Sequence, residues 1–146
     1  MTGDLKNIIS ISGHSGVSRV ISPTRYGLLI ESLDEHNLRS VKYIQSHRIT
    51  KLEDISIYTT DKQKVLPLAT IFERLHATFA DTLSPELYDT PDKLQELMVR
   101  IAPEHDTKRV HISYGKKIIH WYCLLIKHAP ELFHGEESVA PSDTVQ

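Results

Sequence analysis

"SISGHSGVSRVI", Ser10 to Ile21, decides how the first half of the chain folds. Two readings compete for it. Gly13-His14-Ser15-Gly16 has the outline of a serine hydrolase elbow, where Gly-x-Ser-x-Gly makes a strained strand-to-helix turn that exposes the serine. Here the second glycine stands one place early, and the "VSRVIS" that follows is strand-like rather than helical. The other reading is a tight turn between two strands, with glycines at both ends where positive φ costs little. The turn explains the glycine spacing and the elbow does not, so Ser15 is read as a turn residue.

Outward from that turn, the first seventy residues alternate short apolar runs with turn residues. The runs are "NIISISG", "GVSRVIS", "YGLLIESL", "RSVKYIQS" and "DISIYTT". Between them lie Gly13 to Gly16, Pro23 to Gly27, Asp34 to Asn37 and the polar "SHRITKLED". Five strands at spacings of about 8–12 residues point to a small barrel or sandwich. Hiding sheet edges in so short a segment favours an SH3-like β-barrel over residues 1–66. "LPLATIFERLHATFAD" then reads as a connecting helix over 67–80, with Pro67 in the first turn and Leu68, Ile71, Phe72, Leu75 and Phe79 at helical spacing. Residues 81–90 are a linker. Residues 91–130 form a helical pair: Thr90 caps the first helix, Pro103 ends it, "HDTKRVHIS" connects in extended form, and Ser113 caps the second. Residues 131–146 read as a disordered tail. The fold class expected is therefore α+β, a small barrel followed by helices.

Composition narrows the function classes. Of 146 residues, 40% are hydrophobic, which suits a folded globular chain. No run approaches the roughly 18 apolar residues of a membrane span, and the N-terminus lacks the pattern of a signal peptide. The single cysteine allows no internal disulfide, so a cytoplasmic setting is expected. A net charge of -2 gives no global drive toward nucleic acid or an anionic membrane. The charge is uneven, however. Seven acids face two bases between Ala80 and Asp106, whereas Thr107 to Ala129 holds Lys108, Arg109, Lys116, Lys117 and Lys127 and no acid.

Three stretches, "ISISGHSGVSRVISPTRYGLLIESL", "SHRITKLEDISIYT" and "HDTKRVHISYGKKIIHWYCLL", together resemble a family of small uncharacterised bacterial proteins. Its N-terminal part has an I-S-G-x-x-G, then ESL, then DISIYT pattern. Its C-terminal part has D-x-x-R-V and K-K-hydrophobic-hydrophobic-x-W-Y, matched here by Asp106, Arg109, Val110, Lys116, Lys117, Trp121 and Tyr122. The resemblance runs from about Ile8 to Leu125. It implies a two-part architecture and supplies no catalytic residues.

The candidate sites are weighed against plainer roles. His105 with His111, or His120 with Cys123, lack the paired short spacings of a zinc site, so no metal and no cofactor is expected. Cys123, among Tyr122, Leu124 and Leu125, reads as a small buried hydrophobe. The last helix is the most informative element. At 100° per residue, Lys116, Lys127, His120, Lys117 and His128 fall within an arc of about 120°. Trp121 lies beside that arc, and Ile118, Ile119, Tyr122, Cys123, Leu125 and Ile126 lie opposite. With Arg109, this arc is the expected binding surface: Arg109, Lys116, Lys117, His120, Trp121 and Lys127. Loop residues Arg19, Arg25, Tyr26, Tyr43 and Arg48 are a second candidate set. The function expected is a non-enzymatic binding or adaptor module whose partner, protein or nucleic acid, the residues do not name. Nucleic-acid binding through the basic helix is the first alternative, and a small hydrolase or metal enzyme the second.

Overall fold

The computed structural model describes residues 5–133. Strands β1 (Ile8–Ile11), β2 (Val17–Pro23), β3 (Gly27–Ser32), β4 (Arg39–Tyr43) and β5 (Ile49–Lys51) form one antiparallel sheet in the order β4-β3-β2-β1-β5. The stretch quoted above is a hairpin. The His14 amide donates to the Ile11 carbonyl at 2.9 Å, and Gly13 sits at φ +88°, where only glycine is at ease. Asp34 closes the β3–β4 turn by accepting from the amides of His36 and Asn37. Those bonds, the one from His36 first, hold its carboxyl below the usual range.

Two expectations are corrected here. The fifth strand of the sheet is Ile49–Lys51, drawn from the stretch read as a polar turn. "DISIYTT" instead supplies β6 (Ser56–Tyr58), which pairs with β7 (Val65–Pro67) in a separate two-stranded sheet. The expected SH3-like barrel does not close, since β4 and β5 are edges that do not pair.

The sheet is nonetheless strongly curled. Crossing it flat from β4 to β5 takes four strand spacings, about 19 Å. The chain from Tyr43 to Ile49 has six steps, at most about 21 Å fully extended. Much of that reach is used in a turn, because the amides of Ser46 and His47 both donate to the Tyr43 carbonyl. The two edges therefore come closer than a flat sheet allows. The register shift between Val20 and Ser22 is a bulge, which adds bend and twist to β2.

Curling gives the sheet two different faces. Ile8, Val17 and Leu33 face the main core with Leu52, Ile57 and the helices. Ile9, Ile11 and Ile30 form a second, smaller cluster on the other face. That is why β1 is buried on both sides, at Ile8 and at Ile9 alike.

The helices are α1 (Leu68–Phe79), α2 (Pro91–Ile101) and α3 (Ile112–His128). The Thr90 side chain caps α2 by accepting from the Lys93 amide, with Pro91 at the first position, as predicted. Two predicted starts move. Pro67 ends β7 and is the cap residue of α1, while His111, not Ser113, caps α3 by accepting the Ser113 amide on Nδ1. The segment expected to be extended, "HDTKRVHIS", is a run of turns in which Asp106 accepts from the Lys108 amide. Beyond α3, Leu132 and Phe133 are buried in a 3-10 turn, so the expected tail does not begin at 131. The rest of that tail lies outside the described residues.

Arg74 ties α1 to the end of α2. Its guanidinium donates to both Glu104 carboxylate oxygens at 2.8 Å and to the Ile101 carbonyl at 3.0 Å. The pair holds the Glu104 carboxyl below its ordinary value of 4.5, mainly by that hydrogen bond. A carboxyl depressed in the folded state stabilises the fold above its unfolded pKa and loses the effect as pH falls through its folded value. Glu104→Gln is thus expected to destabilise the protein at about pH 6 and to cost progressively less as pH falls below 4.5. Thermal melts across that range check this, and parallel curves for the two proteins would contradict it.

Candidate functional site

The β1–β2 turn and α3 together build a cleft. The Ser12 amide donates to the Arg48 carbonyl at 3.0 Å, which fastens the turn to the segment entering β5. This sets Arg48 beside Ser12, Gly13 and His14. Opposite them, α3 presents Lys117 and Trp121. The cleft between, about 270 Å³, is lined by Ser12, His14, Arg48, Thr50, Lys117 and Trp121 among others, and no Asp or Glu lines it. The Lys117 ammonium lies 5.7 Å from the Trp121 ring centre and 5.9 Å from that of Tyr114, within cation–π range. Burial raises the Tyr114 hydroxyl pKa, so this wall stays neutral.

The residues of the predicted basic arc do not share one surface. Lys117 faces the cleft. Lys116 and His120 face the segment holding Tyr88 and Asp89 across a small groove. Lys127 reaches toward Glu35, at 3.9 Å, on the β3–β4 turn. Trp121 is 3% exposed and belongs to the core. Arg109 is held elsewhere. It donates to Asp106 at 2.9 Å and to the Thr59 carbonyl at 3.1 Å, and its guanidinium lies 4.4 Å from the Tyr58 ring centre. It fastens the turn before α3 to β6.

Of the loop set, Arg19 pairs with Glu131 at 2.5 Å and Arg25 lies over the Tyr26 ring at 5.3 Å. Tyr43 is exposed on the β4 edge. Arg48 alone of that set lines the cleft. Sequence reasoning missed the pairing of Arg48 with Lys117 and the part played by His14. No periodicity links positions so far apart, and the one usable signal was two cationic residues without neighbouring acids.

Of the other chemistry-bearing residues, His105 and Cys123 have structural partners. The Ser15 side chain makes no hydrogen bond with a histidine among the described residues. His105 is buried, its Nδ1 2.6 Å from the Ala102 carbonyl oxygen. Cys123 is half-buried, its Sγ donating to the Leu83 carbonyl at 3.7 Å, and burial pushes the thiol up to about 11. No three His, Cys, Asp or Glu side chains gather as a metal site among the described residues. No described helix is long and apolar enough to cross a membrane.

Two family models match the chain, both domains of unknown function: DUF5606 over residues 5–52 and DUF6852 over residues 55–125. The first spans β1 to β5, and the second spans β6 through most of α3. The chain is also similar to a protein from Bacteroides vulgatus whose structure was solved by solution NMR. Identity is 26%, the match covers 97% of this chain and 92% of the other, and the TM-score is 0.65. No curated protein matches.

Proposed function

We propose that the protein is a non-enzymatic, cytoplasmic binding module that takes an anionic group of its partner, a phosphate or carboxylate, into the cleft between the β1–β2 turn and α3. The observation that carries this reading is the meeting of Arg48 and Lys117 in a concave site lined by no acid. Hydroxyls of Ser12 and Thr50 add donors, and the Trp121 and Tyr114 rings form one wall, so an anion there meets several donors at once. Nucleic-acid binding through the whole arc is less favoured, because phosphate affinity needs many cations on one surface and Lys116, Lys117 and Lys127 face different ways.

Trp121 is the chain's one tryptophan and lines the cleft, so its fluorescence reports directly on occupancy. Titration with inorganic phosphate and with citrate is expected to give a saturable change that weakens with salt. Lys117→Glu should weaken it about tenfold or more, and Lys116→Glu should leave it unchanged. No response to either anion, or equal sensitivity to the two substitutions, would overturn the reading.

A further inference from the structure

The curled sheet wraps an apolar cluster on the face turned away from the helices. Ile9, Ile11 and Ile30 are buried there, with Val20, Leu28 and Ile49 packed around them. Near the β4–β5 turn this concave face opens into a groove of about 580 Å³, floored by Ile9, Val20, Leu28 and Ile49. Ile44, 64% exposed on the turn, stands at its mouth. A concave, mostly apolar site of this size lies within the range of small-molecule sites, about 300–1,000 Å³.

The groove is polarised. Its cationic residues come from one side, Arg48 and Lys51 from β5 and its approach and Lys6 from the 3-10 turn leading into β1, with His47 and Asn7 beside them. No Asp or Glu lines the groove, and neither Arg48 nor Lys51 pairs with a carboxylate of the described residues. A concave site with a positive side and an apolar body fits a ligand of matching polarity. The floor residues come from four adjacent strands, β3, β2, β1 and β5, and step diagonally across the sheet, so an extended chain can lie over all of them.

We propose that this groove binds a single-chain aliphatic carboxylate, with its carboxylate on Arg48 and Lys51 and its chain across Ile49, Ile9, Val20 and Leu28. The site is distinct from the cleft at Lys117, with which it shares only Arg48. The groove is concave, which suits a monomeric ligand rather than a bilayer surface.

The test is calorimetric titration of the full chain with straight-chain alkanoates of four to fourteen carbons, as monomers, alongside methyl NMR. Affinity is expected to rise about fourfold per added methylene and to level off once the floor is covered. Methyl signals of Ile9, Val20, Leu28 and Ile49 should shift. Lys51→Glu should weaken the carboxylate about tenfold and leave the alcohol of equal length unchanged. Ile44→Asp, at an exposed position that folding tolerates, should weaken both. Lys117→Glu should weaken neither, which separates this site from the cleft. Affinity independent of chain length, shifts confined to other methyls, or binding to phosphatidylglycerol vesicles without binding to the monomeric alkanoates would each overturn the proposal.

Discussion

Gly27→Ala is expected to destabilise the protein by about 3 kcal/mol, near the upper end of what overpacking costs. A Cβ at Gly27 would lie 2.0 Å from the Lys42 carbonyl oxygen and 2.9 Å from the Lys42 carbonyl carbon and the Tyr43 Cα. These are backbone atoms, so no side chain can swing aside, and β3 and β4 would have to part at that end. The Gly27 carbonyl accepts from the Thr24 amide, and the Tyr26 carbonyl accepts from the Ile44 amide, so the β2–β3 turn and the start of the β4–β5 turn would be disturbed together. Gly16→Ala is the matched control. Its Cβ would meet only the Leu124 Cδ1 at 3.7 Å, an ordinary contact, and the change should fall within about 0.5 kcal/mol. Urea denaturation of the two variants checks this, and equal losses would refute the steric account.

Tyr122→Ala should cost about 4 kcal/mol, as for a large aromatic removed from a core. Tyr122 is fully buried, 6.2 Å between ring centres from Phe72 on α1 and 5.5 Å from Phe133 beyond α3. It therefore joins three parts of the main core. Tyr122→Phe keeps that packing and removes only the hydroxyl, which donates to the Ala80 carbonyl at 2.5 Å. That bond anchors Ala80, which ends α1 at φ +48°, a conformation a non-glycine residue seldom holds. Losing it should cost about 1–2 kcal/mol. Comparable losses for the two variants in denaturant titrations would mean that the hydroxyl, not the ring, carries the contribution.

The sequence carried the elements whose signals are local. Thr90-Pro91 marked the start of α2, the glycines marked the β1–β2 turn, and the apolar spacing marked α1 and α3. What it could not carry was pairing. β5 has one apolar residue, Ile49, between Arg48 and Thr50, so it looks like a turn until β1 is laid beside it. "DISIYTT" looks like a strand and is one, but it pairs with β7 rather than with the larger sheet, and Ile57 joins the main core. Barrel closure was inferred from edge avoidance, but the sheet does not close: curling brings β4 and β5 near each other without pairing them.

The candidate site was legible in part. A helical wheel places Lys117 and Trp121 side by side, but it treats a helix as having one buried direction. Here the β1–β2 turn and β5 approach α3 from a second side, so the edge of the polar arc is covered and Trp121 is buried. Arg48 reaches the same place from a segment nearly seventy positions away in sequence.

Cys123 also provides a clock. With its thiol near 11, only about one molecule in a thousand carries a thiolate at pH 8 while the segment around Leu83 is closed. Opening of that segment would lower the barrier to ionisation, so alkylation of the single thiol would be paced by how often the 81–90 linker lifts from α3.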